Sequence, residues 1–162
     1  MKYNFRPAEA EDIDAVFELY EKRIAWMNEN GIRQWNVTDY LSVYPKPYYR
    51  MQQRLGNLYV LCREAVVGAV VLFRSDDQWN NVSDTDALYV HNLVTDPKEK
   101  GAGKIMLSEA EKMCAAQGRR FIRLDCAADN TFLNNYYASL GYELVGTCRD
   151  GFYIGNMREK KL

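Results

Sequence analysis

The residues best suited to chemistry are Gly101-Ala102-Gly103 and the lysines around them, Lys98, Lys100 and Lys104. A β-rich run ends at Thr95, Asp96-Pro97 stops it, and an amphipathic helix opens at the glycines. The first N–H groups of a helix have no partner inside it and the helix dipole is positive there, so the turn suits a phosphate. Glycines admit close approach of a pyrophosphate, and the lysines add positive charge. An ordinary strand-to-helix turn has the same pattern. The turn lacks both the third glycine of a dinucleotide fingerprint and the Gly-Lys-Ser/Thr of a nucleoside-triphosphate loop.

A second group of candidates lies where periodicity fails, between residues 28 and 57 and just before them. Trp26, Gly31-Ile32-Arg33-Gln34-Trp35, Tyr40, Tyr44 and Tyr48 combine flat apolar faces with amide and guanidinium donors. Small-molecule pockets are often lined this way, and aromatic faces suit a cationic amine; plain packing explains such a cluster equally. Trp26, Gln34 and Trp35 are the substrate-side candidates.

These residues need a scaffold, and the spacing of apolar residues predicts one. Tyr3 to Arg6 alternates as a short strand before Pro7, and Ile13, Val16, Phe17, Tyr20, Ile24 and Met27 fall at helical spacing. Residues 28 to 57 read as a loop segment with a short helix around Tyr49 to Leu55. Leu58 to Cys62 and Val66 to Phe73 read as an antiparallel hairpin, in which Gly68 marks a bulge or a close backbone approach. Arg74 to Asp86 is polar enough for an exposed loop, and Ala87 to Thr95 forms a further strand.

After Gly101, the residues Met106, Leu107, Ala110, Met113 and Cys114 make one apolar stripe closed by Gly118. Arg120 to Cys126 alternates as a strand, Asn130 to Leu140 is helical with Gly141 as its stop, and Tyr142 to Cys148 and Phe152 to Met157 are two last strands. The order combines an antiparallel half with a βαβ crossover, so the expected fold is α/β, a mixed and mostly antiparallel twisted sheet flanked by helices. The exposed edge near Phe152 to Met157 offers pairing with a second copy, a homodimer.

Composition narrows the functions. With 162 residues and 48% apolar content, one globular domain over residues 1–162 is expected. A net charge of −1 gives no global field for nucleic acid or an anionic membrane surface. Four scattered cysteines read as reduced core residues and form no metal knuckle, so no metal is expected. Nowhere do about 18 uncharged apolar residues run together, which favours a cytoplasmic protein.

Lys98-Glu99-Lys100-Gly101-Ala102-Gly103 resembles the Arg/Gln-x-x-Gly-x-Gly/Ala cofactor motif of the GNAT superfamily of acetyl-CoA-dependent N-acetyltransferases, with Lys98 where that motif carries Arg or Gln. Asn130 followed by Tyr137-Ala138-Ser139-Leu140-Gly141-Tyr142 resembles the family's second motif, in the same order. The likeness extends to Phe5-Arg6-Pro7-Ala8 with Glu11-Asp12-Ile13 and to Val66-Val67-Gly68, leaving out residues 28 to 57 and 74 to 86.

The resemblance implies transfer of an acetyl group from acetyl-CoA, as cosubstrate, to the primary amine of a small molecule or peptide by direct attack. It implies that the main chain of Leu93, Val94 and Thr95 pairs with the pantetheine arm. Lys98, Lys100, Gly101, Ala102, Gly103 and Lys104 would then meet the pyrophosphate. It places Tyr137 as the acid that protonates the departing thiolate, with neighbouring Tyr136, about 100° away on the helix, in the core; Tyr137 as a packed aromatic is the alternative. Asn130 either caps its helix or also touches the cofactor.

His91 is the only histidine, on the strand leading into the turn, and is the candidate base for the amine. Strict alternation would put it on the face of Tyr89 and Leu93, where a structural histidine fits equally. Asp125 is either a water relay on the substrate side or a structural partner of Arg123 or Arg120. Two other functions share these features: an acyl-CoA-binding or regulatory module without catalysis, and a nucleotide binder using the same turn.

Overall fold

The computed structural model describes residues 2–80, 82 and 86–162. In chain order the strands are β1 (Asn4–Pro7), β2 (Leu58–Cys62), β3 (Val66–Phe73), β4 (Ala87–Thr95), β5 (Phe121–Ala127), β6 (Glu143–Asp150) and β7 (Tyr153–Lys161). The helices are α1 (Ile13–Glu29), α2 (Tyr40–Val43), α3 (Lys46–Arg54), α4 (Ala102–Ala116) and α5 (Thr131–Ser139), with short 3-10 turns at Ala10–Asp12, Trp35–Val37 and Asp77–Trp79. The strands form one sheet in the order β1-β2-β3-β4-β5-β7-β6, so β7 is paired on both sides and the edge expected near Phe152 to Met157 falls instead to β6. Pairing is antiparallel for β1/β2, β2/β3, β5/β7 and β6/β7 and parallel for β4/β5, the mixed, mostly antiparallel sheet expected.

The chain divides into two compact units, one holding the residues up to Leu72 with His91–Glu109, the other Phe73–Val90 with Ala110–Leu162. In the first, α1 buries Val16, Leu19 and Tyr20, while β2 and β3 bury Leu58, Val60, Leu61 and Ala69 through Leu72. The entry to α1 is fixed by Arg6, which donates two hydrogen bonds to the Asp12 carboxylate at 2.7 and 3.0 Å, and by the N–H of Glu9, which donates to the same group. The Arg6 hydrogen bonds hold Asp12 below the usual carboxylate range against the opposing effect of burial.

Two local expectations change in this unit. The segment expected as loop carries α2 and a longer α3 that starts at Lys46, ahead of the expected Tyr49. Pro47 looked like a breaker, but it sits in the first turn, where no intrahelical N–H is required. The register shift between β2 and β3 falls at Leu61/Cys62, while Gly68 is a close approach: an added Cβ would collide with Met106 Sδ and lie 3.3 Å from the carbonyl oxygen of Val94.

In the second unit Arg123 is fully buried and donates to Glu159 at 2.7 Å and to the Tyr89 hydroxyl at 3.0 Å. The expected exposed loop over residues 74 to 86 is only partly so, because Trp79 packs into a core with Ala87, Tyr89 and Met157. Asn81, Ser83, Asp84 and Thr85 of that expectation lie outside the described residues. Among the described residues no helix is long and apolar enough to cross a membrane.

Candidate active site

The Gly101 turn is built step by step from β4. The N–H of Asp96 donates to the carbonyl of Val67 at 2.8 Å, ending the strand, and the Asp96 carboxylate then accepts from the N–H of Lys98 at 2.9 Å. The chain turns back through the N–H of Glu99 on the Asp96 carbonyl, at 3.0 Å, and that of Ala102 on the Glu99 carbonyl, at 3.2 Å. Gly101 has φ of 86°, and a Cβ there would meet nothing within 4 Å, so backbone conformation is what requires glycine. Ala102 is fully buried and anchors the first turn of α4.

Ile105 closes the first full α-helical turn, its N–H reaching the Gly101 carbonyl at 3.2 Å. The N–H groups of Gly103 and Lys104 precede that bond and stand at the positive end of the helix dipole. Lys98, Lys100 and Lys104 are exposed. The acid among them is drawn aside: Glu99 accepts from the Tyr3 hydroxyl at 2.7 Å and pairs with Arg63 at 3.5 Å. The exposed side of the turn is thus lysine-rich while the Glu99 carboxylate is engaged elsewhere.

The preceding strand is held at two points. Arg23 of α1 donates to the carbonyl of Thr95 at 2.7 Å and to its hydroxyl at 3.0 Å, and its guanidinium lies 4.9 Å from the Trp26 ring. Three residues back, Asn92 takes the left-handed conformation, φ 53°, so the regular alternation expected along β4 is interrupted between His91 and Leu93. His91, Asn92 and Leu93 are half-buried and Val94 is buried. The parallel ladder between β4 and β5 ends at Tyr89↔Arg123.

Around Asn92 the aromatic residues of the irregular segment close on one another. Trp35 stacks on Tyr40 at 4.4 Å between ring centroids, and contacts continue from Tyr40 to Tyr44, Tyr44 to Tyr48, Tyr48 to Tyr49 and Tyr49 to Tyr20. Burial raises the pKa of the Tyr20, Tyr40, Tyr48 and Tyr49 phenols, which stay neutral; the first three take part in hydrogen bonds with Asn92 without carrying charge. Gln34 uses its N–H within the loop, donating to Asn36 Oδ1 at 2.8 Å. Among the substrate-side candidates, Trp35 joins the aromatic cluster and Trp26 lies against Arg23.

The second unit holds the other candidates. Asn130 caps α5, its Oδ1 accepting from the N–H of Leu133 at 3.0 Å. Tyr137 is buried, edge-on to Tyr142 with centroids 5.9 Å apart, and its hydroxyl makes no hydrogen bond to the described residues. Burial, followed by the neighbouring Cys126, Tyr136 and Asp125, drives its pKa upward. Tyr136, expected in the core, is instead half-exposed and stacked on Phe132.

For Asp125 the structural alternative changes partner. It accepts from the Tyr153 hydroxyl at 2.7 Å, while Arg123 goes to Glu159 and Arg120 to Asp86. Asn134, which the sequence reading missed, is buried and accepts at Oδ1 from Asn156 and from Nε and an Nη of Arg158. Asn92, Arg23 and Asn134 carried no motif; the only signal was a polar residue placed on an otherwise apolar face. Among the described residues no cluster of three or more His, Cys, Asp or Glu could hold a metal ion.

With this geometry in view, the model of the acetyltransferase (GNAT) family matches residues 18–142. The uncharacterized N-acetyltransferase YesJ of Bacillus subtilis is 24% identical over 91% of this chain and 86% of its own. A GNAT-family acetyltransferase from Listeria monocytogenes has TM-score 0.78 at 25% identity, over 99% of this chain and 95% of that one. The PaiA N-acetyltransferase of Thermoplasma acidophilum, solved in complex with coenzyme A, has TM-score 0.77 at 18% identity, over the whole of both chains. The chain belongs to the acetyltransferase (GNAT) family and is an N-acetyltransferase.

Proposed function

We propose that the protein transfers the acetyl group of acetyl-CoA to the primary amine of a small molecule or peptide by direct attack. The observation that carries this reading is the turn itself: Gly101 at φ 86° opens α4 so that the N–H groups of Gly103 and Lys104 precede the first intrahelical bond. Two adjacent N–H donors, the helix dipole and exposed Lys98, Lys100 and Lys104 suit a pyrophosphate. The coenzyme A complex of the Thermoplasma acidophilum protein, similar in fold, supports the same ligand here.

In this reading Leu93, Val94 and Thr95 supply main-chain groups to the pantetheine arm, on the stretch of β4 beyond its ladder with β5. Trp26, Gln34 and Trp35 face the acceptor, and Asp125, tied to Tyr153, serves it through water. Ala102 seats the turn, and Asn130 sets the start of α5 so that Tyr137 is correctly presented.

The amine nitrogen attacks the thioester carbonyl carbon, forming a tetrahedral intermediate whose oxyanion is met by main-chain N–H of β4. His91 takes the proton that nitrogen loses. The C–S bond then breaks, the electron pair goes to sulfur, and Tyr137 protonates the thiolate. Burial keeps the Tyr137 phenol protonated, as a general acid requires.

Thermal shift with acetyl-CoA, compared with ATP and NAD, followed by thiol release with a panel of primary amines, tests the proposal. Stabilisation by acetyl-CoA alone, with thiol released by at least one amine, is the expected result. Stabilisation by nucleotides and not by acetyl-CoA would overturn the ligand, and binding without turnover would make the chain a non-catalytic acyl-CoA module.

A further inference from the structure

Asn92 is one of two non-glycine residues with positive φ among the described residues, and the only one of the two within a strand. The left-handed region costs an L-residue about 1–2 kcal/mol and breaks a ladder, so it persists where surrounding contacts impose it. Here three tyrosines from three helices do so. Tyr20 of α1 donates to the Asn92 carbonyl, Tyr48 of α3 donates to Oδ1 at 2.8 Å, and Nδ2 donates to the hydroxyl of Tyr40 of α2.

Those phenols are themselves packed against other rings. Tyr20 and Tyr49 are fully buried and stack at 4.7 Å, Tyr49 meets Tyr48 edge-on at 5.0 Å, and Tyr20 lies 5.9 Å from Tyr40. A trans peptide is planar, so its C=O and the following N–H point in opposite directions. No cis peptide occurs among the described residues; holding the Asn92 carbonyl toward Tyr20 therefore turns the N–H of Leu93 away from α1. Both halves of one peptide on β4 are thus set by side chains that reach Asn92 from α1, α2 and α3.

We infer that Asn92, tied to Tyr20, Tyr40 and Tyr48, is a positioning residue that orients the Asn92–Leu93 peptide toward the oxygen of the acetyl thioester. The inference rests on the proposed seating of acetyl-CoA along β4. It adds a role for the irregular segment: Tyr40 and Tyr48 belong to the same stretch as Trp35, so the segment that carries acceptor candidates also sets the strand proposed to polarise the thioester. Tyr20, Tyr40 and Tyr48 act on the peptide through Asn92 or its carbonyl and need touch no substrate.

The test needs no acceptor amine. The carbonyl resonance of [1-13C]acetyl-CoA is recorded on wild type, Asn92→Gly and Tyr48→Phe, with affinity measured by calorimetry. Glycine keeps access to positive φ and loses only the side-chain ties; Tyr48→Phe removes one hydroxyl and decides the matter should Asn92→Gly fail to fold. The wild-type carbonyl is expected downfield of free acetyl-CoA, and both variants are expected to return it toward the free value with affinity within about two-fold.

A wild-type resonance at the free position, unchanged resonances in folded variants, or loss of acetyl-CoA binding in folded Tyr48→Phe would each overturn the inference. Failure of wild type to bind acetyl-CoA at all would instead remove the proposed function beneath it.

Discussion

Arg23 and Thr95 are joined twice, the guanidinium reaching the threonine carbonyl at 2.7 Å and its hydroxyl at 3.0 Å. The pair fastens α1 to the last residue of β4, one step before the Asp96 side chain starts the turn that leads to Gly101. A change in α1 thereby reaches the Gly101 turn through a single strand end.

Arg23→Ala removes both bonds and leaves the Thr95 carbonyl without that donor. Charge-assisted hydrogen bonds in a partly solvated setting support a loss of about 1–2 kcal/mol, or a Tm about 3–6 °C lower. Acetyl-CoA affinity is expected to fall in parallel. An unchanged Tm by thermal denaturation would show that Arg23 does not hold the strand.

Gly101→Ala introduces no collision, since nothing lies within 4 Å of the added Cβ, yet forces a side chain into φ of 86°. The expected cost is about 1–2 kcal/mol in stability, with weaker binding of acetyl-CoA because the first turn of α4 is displaced. Calorimetric titration and thermal melting check both. Equal affinity and Tm would mean that the turn tolerates a negative φ.

Tyr137→Phe is expected to lower kcat by about 10²-fold or more while the Kd for acetyl-CoA stays within about two-fold. The pH dependence has a definite sign. A general acid acts while protonated, and burial raises this phenol above its ordinary value near 10, so rate loss from its ionisation lies on the alkaline side, beyond pH 10. An alkaline limb with a midpoint near pH 8 that disappears in Tyr137→Phe would contradict this environment.

His91→Gln keeps a polar side chain and removes a titratable one. With Gln, most of the rate of thiol release is expected to be lost while the Kd for acetyl-CoA stays within about two-fold. Retention of the rate would assign the base elsewhere.

Asn134→Leu tests the buried polar knot of the second unit. Its Oδ1 accepts from Nε and an Nη of Arg158, both buried, so an apolar replacement leaves a guanidinium without those acceptors. A loss of about 3 kcal/mol or more in unfolding free energy is expected, and Asn134→Asp, which restores an acceptor and adds the opposite charge, is expected to recover part of it. Equal stability of the Leu variant in urea unfolding would show that water replaces the acceptor.

Much of the scaffold was legible because its signals are local. The bounds of β2, β3 and β4 follow from runs of β-rich residues between polar turns, and α4 follows from an apolar stripe between Gly101 and Gly118. The Gly101 turn and the cap at Asn130 could be placed because both depend on neighbours a few residues away. The segment from 28 to 57 was harder: its aromatics carry no period, and Pro47 looks like a break although the first turn of α3 accommodates it.

The sequence by itself determined the order of elements, the glycine turn and the identity of the candidate groups, all of which rest on backbone conformation and spacing within one element. Only the tertiary structure decided that Tyr137 and not Tyr136 is buried, that Asp125 takes Tyr153 as its partner, and that Asn92 is bent out of the strand pattern. The last two outcomes depend on hydroxyls brought from distant parts of the chain, 28 residues away for Tyr153 and Asp125 and 44 for Tyr48 and Asn92. Hydrogen bonding is set by distance and direction in space, and neither is written in the local pattern that makes a strand or a helix.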